Sequence, residues 1–246
     1  MSEELDRLIR QNYARVLDKI AYAARAAGRE PDSVCLVVVT KGQPLAVAQA
    51  AVRIGVRVLG ENYPEEALTK IHAIREEVEW HMIGHVQSRK ARLVCDYFAF
   101  LHSLDSVKLA NRLERMAVER KRCLPVLLEF NVSGEATKWG WPAWEEGRWP
   151  DLLPEVEQVL GCEHLEVRGL MTVPPFYADP EQARPFFRKL RCLRDFLAGH
   201  YPQANWRELS MGMSADFEVA IQEGATFVRV GQAILGSRGE EDVRYK

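Results

Sequence analysis

What this chain lacks narrows its class first. None of the five cysteines, Cys35, Cys95, Cys123, Cys162 and Cys192, belongs to a C-x-x-C pair. Their scatter argues against a zinc ribbon or a disulfide framework and suits free thiols in a reducing compartment. No apolar run approaches the length of a membrane span. A dominant charge is missing too: 33 Lys+Arg against 35 Asp+Glu leave a net charge of -2. That balance gives no general pull toward nucleic acid or an anionic membrane. The densest basic run, Arg112, Arg115, Arg120, Lys121 and Arg122, is broken by Glu114 and Glu119 and reads as the wet face of a helix. The opening "MSEELDRLIRQNY" is too charged for a secretory signal, so a cytoplasmic protein is expected. With no linker, low-complexity tract or internal repeat, one domain over 1–246 is expected.

What is present is a rhythm. Leu5, Ile9, Val16, Ile20, Ala23 and Ala27 fall near helical spacing and predict an extra N-terminal helix, stopped by Gly28 and Pro31. Eight short apolar runs follow: "VCLVVVT", "VRVLG", "EWHMIG", "YFAFLHS", "LPVLLEFNV", "LEVRGLMTV", "WRELSMG" and "TFVRVG". Between most of them lie amphipathic stretches, at 44–54, 64–78, 106–121, 182–200 and 214–223. Strands alternating with helices imply parallel pairing with right-handed crossovers, and eight such units in this length predict a (β/α)8 TIM barrel of the α/β class. The competing open doubly wound sheet calls for a G-x-G-x-x-G turn after the first strand, where this chain has "TKGQP".

A TIM barrel carries its active site at the C-terminal ends of its strands. Lys41 ends the first run in phase with Val37 and Val39, so an inward face places its amine at the top of a dry core. Partial desolvation favours a neutral amine, which attacks aldehydes; the simpler alternative is a lysine snorkelling from a strand end. Arg229 shares a face of the last strand with Phe227 and Gly231, and a buried guanidinium needs an acceptor, either Glu61 in an internal salt bridge or a ligand. The small-residue turns "SMGMS" and "VGQAILG" stand after strands seven and eight, where barrels often bind phosphate on backbone N–H groups. Ser214 is also placed to cap the following helix. Lysine, arginine and a phosphate nest around one mouth suggest a phosphorylated aldehyde, and pyridoxal 5'-phosphate (PLP) fits them.

Six segments carry a resemblance: "VVVTKGQP", "LGENYPEEALTKI", "WHMIGHVQSRKARLV", "FNVSGEATKWG", "VRGLMTVPP" and "LSMGMSADFEVAIQEGATFVRVGQAILG". In this order the chain resembles the pyridoxal-phosphate homeostasis proteins, a vitamin B6 family with the fold-type III PLP barrel of the alanine racemase N-terminal domain. The resemblance implies that Lys41 holds PLP as a Schiff base and that Asn62 sits near the ring's phenolic oxygen. His81 and Met171 would belong to the ring pocket, and Arg229 would meet the pyridine nitrogen. Ser210, Met213, Ser214, Gly231 and Gln232 would form the phosphate cradle. No metal is implied. The implied role is intracellular PLP homeostasis without robust turnover, with PLP-dependent client enzymes as partners and a monomer or weak dimer as the assembly.

Two alternatives stand beside it. An amino-acid racemase needs a base on each face of its substrate, and alanine racemases supply the second from an added β-domain. The chain stops about ten residues after "AILG", so that domain is not expected here, leaving Tyr63 or His85 as substitutes. A Schiff-base aldolase without PLP explains Lys41 and the phosphate turns but leaves Asn62 and Arg229 with less to do. The run "TKWGWPAWEEGRW" holds Trp139, Trp141, Trp144 and Trp149. It is read first as a helix packing its aromatics on the barrel, and second as a lid or docking surface.

Overall fold

In the computed structural model, which describes residues 2–237, eight parallel strands close into a ring. They are β1 (Cys35–Val39), β2 (Val58–Glu61), β3 (Glu79–Met82), β4 (Phe100–Leu104), β5 (Leu124–Asn131), β7 (Leu165–Met171), β8 (Glu208–Ser210) and β9 (Phe227–Val230). A two-residue strand, β6 (Trp141–Pro142), pairs with β5 outside the ring. The order runs β4-β3-β2-β1-β9-β8-β7-β5, and β4 pairs with β5 to close it. The (β/α)8 TIM barrel expected from the alternating pattern is therefore present. Residue 1 and residues 238–246, included in the expected 1–246 domain, lie outside the described residues.

Helices α1 (Ser2–Ala26), α2 (Leu45–Arg53), α3 (Pro64–Ala73), α4 (Ala91–Tyr97), α5 (Val107–Arg120), α6 (Leu153–Leu160), α7 (Arg184–His200), α8 (Phe217–Gln222) and α9 (Gln232–Leu235) surround the strands. The N-terminal helix packs across α2, α8 and α9, where Ala23, Ala24, Ala48, Ala50 and Ala51 are fully buried and let backbones approach closely. Asn12 donates to the Ile234 carbonyl at 3.2 Å, tying α1 to the last helix. In α5, Ser106 caps the first turn by accepting from the Leu109 N–H at 3.3 Å. Replacing it with alanine should cost about 1 kcal/mol in urea unfolding, the usual cost of a lost cap.

Registry fixes which side chains enter the barrel. Val37 lies level with Arg229, Gly60 with His81, and His81 with Phe100. Glu129 lies level with Met171, and Met171 with Ser210. Neighbours in register share a face, so these residues form the inward set. Between β5 and β7 the register slips by one residue at Arg168, a bulge. Gly169 follows it with φ of +148°, and any Cβ there would run into the Glu208 carbonyl. Only glycine fits that crossing.

Candidate functional site

A cavity of about 520 Å³ opens at the C-terminal ends of β1, β2 and β9. Lys41, Asn62, Met213, Ser214, Arg229, Gly231 and Gln232 all line it, so chain positions nearly two hundred residues apart meet at one mouth. They do so because β9 closes the ring against β1. Lys41 follows β1 in phase with Val37, so it hangs at the rim two alternations above the level of Arg229.

The backbone that carries Lys41 is clamped from behind. Thr40 and Glu61 point outward, toward α3, and both are fully buried. Lys70 of α3 donates to the Thr40 carbonyl at 2.7 Å and to Glu61 Oε1 at 2.8 Å. The Thr40 hydroxyl donates to the same Glu61 oxygen at 2.6 Å. One residue past the lysine, the Gly42 N–H donates to Glu66 Oε1 at 2.8 Å. Burial pushes the Glu61 carboxyl upward, while its contacts with Lys70 and Thr40 oppose this. Glu61 is thus committed to Lys70 and does not pair with Arg229, contrary to the internal bridge considered from sequence.

Arg229 instead spends its guanidinium on neutral acceptors. Nη1 donates to Ser210 Oγ at 2.6 Å and Nη2 to the Thr172 carbonyl at 2.9 Å. No carboxylate within 4.0 Å pairs with it among the described residues. Burial pulls its pKa down to about 10, with Glu129 and Asp216 pulling the other way, so it remains charged at neutral pH. A buried cation held this way faces the cavity with donor capacity to spare.

The turn after β8 is shaped by Asp216, whose Oδ1 accepts from the Met213 N–H at 2.6 Å. Ser214 does not cap α8, as its position had suggested; its hydroxyl accepts from the Ala233 N–H at 3.3 Å and joins the two turns. The N–H groups of Ser214, Ala215 and Gln232, all cavity-lining residues, donate to nothing among the described residues. Asn62, also in the lining, has its Oδ1 buried without a partner among the described residues. Gly84 packs so closely behind Asn62 that a Cβ would come within 2.6 Å of the Asn62 carbonyl oxygen, which pins that wall.

Three expected site residues lie below the cavity rather than in its wall. Met171 packs with Phe100 and Leu127 in an apolar plug. His81 and Ser210 belong to a buried polar chain with His102, a residue sequence reasoning missed. Glu129 was missed as well; it is buried inside the barrel, and Oε2 has no partner among the described residues. Both residues sit in mostly apolar strands, and the available signal is that each is in phase with inward neighbours. Of the tryptophans, Trp141 and Trp149 are buried and Trp139 and Trp144 are exposed, so the run is neither wholly core nor wholly surface. It holds a 3-10 turn at Glu146–Leu152 and no α-helix. Trp139 stacks on His85 with ring centroids 3.7 Å apart, and His85 is bonded to Asp105 at 2.6 Å. Among the described residues there is no cluster suited to a metal and no helix long and apolar enough to cross a membrane.

Barrel, rim lysine and buried arginine define a class, and comparison with known proteins gives the same one: residues 12–239 match the family model for the alanine racemase N-terminal domain. Within that class the chain belongs to the pyridoxal phosphate homeostasis protein family. It is 40% identical over 230 residues to the member from Aquifex aeolicus, spanning 93% of this chain and 97% of the relative. The Escherichia coli member is 36% identical over 236 residues, spanning 94% and 97%. Among solved structures, PipY of Synechococcus elongatus with PLP bound superposes with a TM-score of 0.76 at 34% identity, covering 88% of this chain and all of that one. An alanine racemase from Clostridium difficile shares the fold, with a TM-score of 0.68 at 15% identity, and this chain covers 58% of it.

Proposed function

We propose that this protein binds PLP at the β1/β9 mouth, acts in cytoplasmic PLP homeostasis as a one-domain carrier, and supplies PLP-dependent client enzymes. The assembly proposed for it is a monomer or weak dimer. The observation that carries the reading is one cavity holding a rim lysine, a buried arginine and, among the described residues, an unpartnered amide oxygen and three backbone N–H groups without an acceptor. That donor set fits the cofactor: an amine for the aldehyde, a cation for the ring nitrogen and N–H groups for the phosphate. When bound, PLP would supply an aldehyde group open to condensation with a primary amine. Lys41 presents the amine, Arg229 donates toward the ring nitrogen, Asn62 orients the ring edge, and Ser214, Ala215 and Gln232 bind the phosphate. A charged guanidinium at the ring nitrogen donates without giving up its proton and leaves the ring a weak electron sink, which suits holding over turnover.

The two side chains considered as a second base, Tyr63 and His85, are not in the cavity wall, and this favours the carrier over a racemase. Mixing the protein with PLP and removing the excess should leave it yellow; a colourless protein would sink the assignment. Loaded protein kept with L-amino acids in deuterated water should add deuterium at Cα to at most one equivalent. Many equivalents would replace the carrier with a racemase.

A further inference from the structure

Below the cavity a hydrogen-bonded chain crosses the barrel. Arg229 Nη1 meets Ser210 Oγ at 2.6 Å, Ser210 Oγ meets His102 Nδ1 at 2.8 Å, and His102 Nε2 meets His81 Nδ1 at 3.0 Å. The last link, from His81 Nε2 to Glu79 Oε2, is longer at 3.5 Å, and the Glu79 side chain is 68% exposed at the opposite end of the barrel. Phe100 and Phe227 wall the two imidazoles, with ring centroids 4.8 to 5.9 Å away.

The two ends decide the direction of every bond between them. A guanidinium only donates and an ionised carboxylate only accepts. Ser210 therefore accepts from Arg229, and its own proton goes to His102 Nδ1, since no other acceptor for it exists among the described residues. His102 then carries its proton on Nε2 and gives it to His81 Nδ1, and His81 carries its proton on Nε2, toward Glu79. Charge agrees with this. Burial, His81 and Arg229 hold the His102 pKa well below its ordinary value, so the ring is neutral. The His81 hydrogen bond, more than any nearby charge, holds Glu79 below the usual carboxylate range.

We infer that Ser210, His102, His81 and Glu79 are positioning residues that keep Ser210 Oγ an acceptor toward Arg229 and so hold the guanidinium in place, its orientation at the cavity being set from the far end of the barrel. This rests on the PLP reading only for what Arg229 meets; the chain itself is a property of the protein without ligand. If either imidazole reversed its tautomer, Ser210 would lose its acceptor and the guanidinium would gain a competing donor beside it.

The test has an arm that needs no cofactor. Nitrogen-15 NMR of the histidines in PLP-free protein at pH 8 should show both His81 and His102 carrying their proton on Nε2, and His102 should stay neutral from pH 6 to 8. A proton on Nδ1 of either ring, or titration of His102 in that range, overturns the inference. Glu79→Gln, a surface change, should move the Nε2–H proton resonance of His81 and, less, that of His102, because linked hydrogen bonds polarise one another. A change confined to His81 overturns it. In PLP-loaded protein, His102→Leu strands the Ser210 hydroxyl and should weaken retention about tenfold and displace the visible band, with His102→Asn restoring part of both. A folded His102→Leu protein with wild-type retention and band would refute the positioning role. If wild-type protein takes up no PLP, the functional reading fails, and the NMR arm still judges the chain.

Discussion

Lys41→Ala should leave the protein folded but colourless after treatment with PLP, with no borohydride-stable adduct detectable by mass spectrometry. Wild-type protein, treated the same way, should gain one adduct, mapped to Lys41. Lys41 lies past the end of β1, and the Thr40 and Gly42 backbone contacts with α3 that hold the chain there involve no atom of its side chain. Truncation therefore removes the amine and keeps the frame. What remains, Arg229 and the unpaired N–H groups, can still attract a phosphorylated ring by charge and hydrogen bonding. Residual affinity without colour is thus the expected pattern, and inorganic phosphate should compete for it. Adduct formation in Lys41→Ala at another lysine with undiminished yield would remove Lys41 from the role.

Glu129→Gln should make the protein more stable, by an amount that grows with pH. Glu129 is buried inside the barrel, and burial, reinforced by Asp105 and opposed by Arg229 and Lys138, pushes its pKa up to about 8 from 4.5. Between those values the folded chain keeps a proton that the unfolded chain has released. Raising the pH therefore favours unfolding, at about 1.4 kcal/mol per pH unit until the folded group itself ionises. Glutamine has the same shape and no such proton, so it escapes the loss. The two proteins should match near pH 4.5, differ by on the order of 3 kcal/mol at pH 7, and hold a constant gap above pH 8. Urea unfolding at pH 5 and at pH 8 measures it; a gap that does not widen between them refutes a neutral buried Glu129. The natural carboxyl thus lowers stability at a buried position inside the barrel, a pattern typical of functional positions.

Much of the barrel and its rim is legible in the amino-acid sequence. Strand ends are readable because short apolar runs stop at polar residues, and strand parity alone puts Lys41 with Val37 and Val39, and Arg229 with Phe227. Parity also carries a warning: Gly60 and Asn62 share one face of β2, so Glu61 between them belongs to the other and faces α3. What parity cannot supply is height. His102 and Glu129 lie in "FAFLHSLDS" and "LPVLLEFNV", and whether such residues meet a partner depends on registry between strands distant in sequence. The ring slips register twice, between Leu101 and Leu104 on β4 and at the bulge opposite Leu127, and neither slip leaves a periodic signature. Ser210 illustrates the result: its place in a phosphate-type turn is readable, but its hydroxyl turns down to His102 because β4 stands at that level.

The clamp of Thr40, Glu61, Lys70 and Glu66 bears on how a cargo is exchanged. These groups hold the chain on both sides of Lys41 through contacts on the barrel's outer wall, none of which a molecule in the cavity would touch. The backbone that carries Lys41 is thus held by the protein's own side chains, without help from a ligand. Loading then requires little ordering of the backbone, and unloading leaves no collapsed intermediate to rescue.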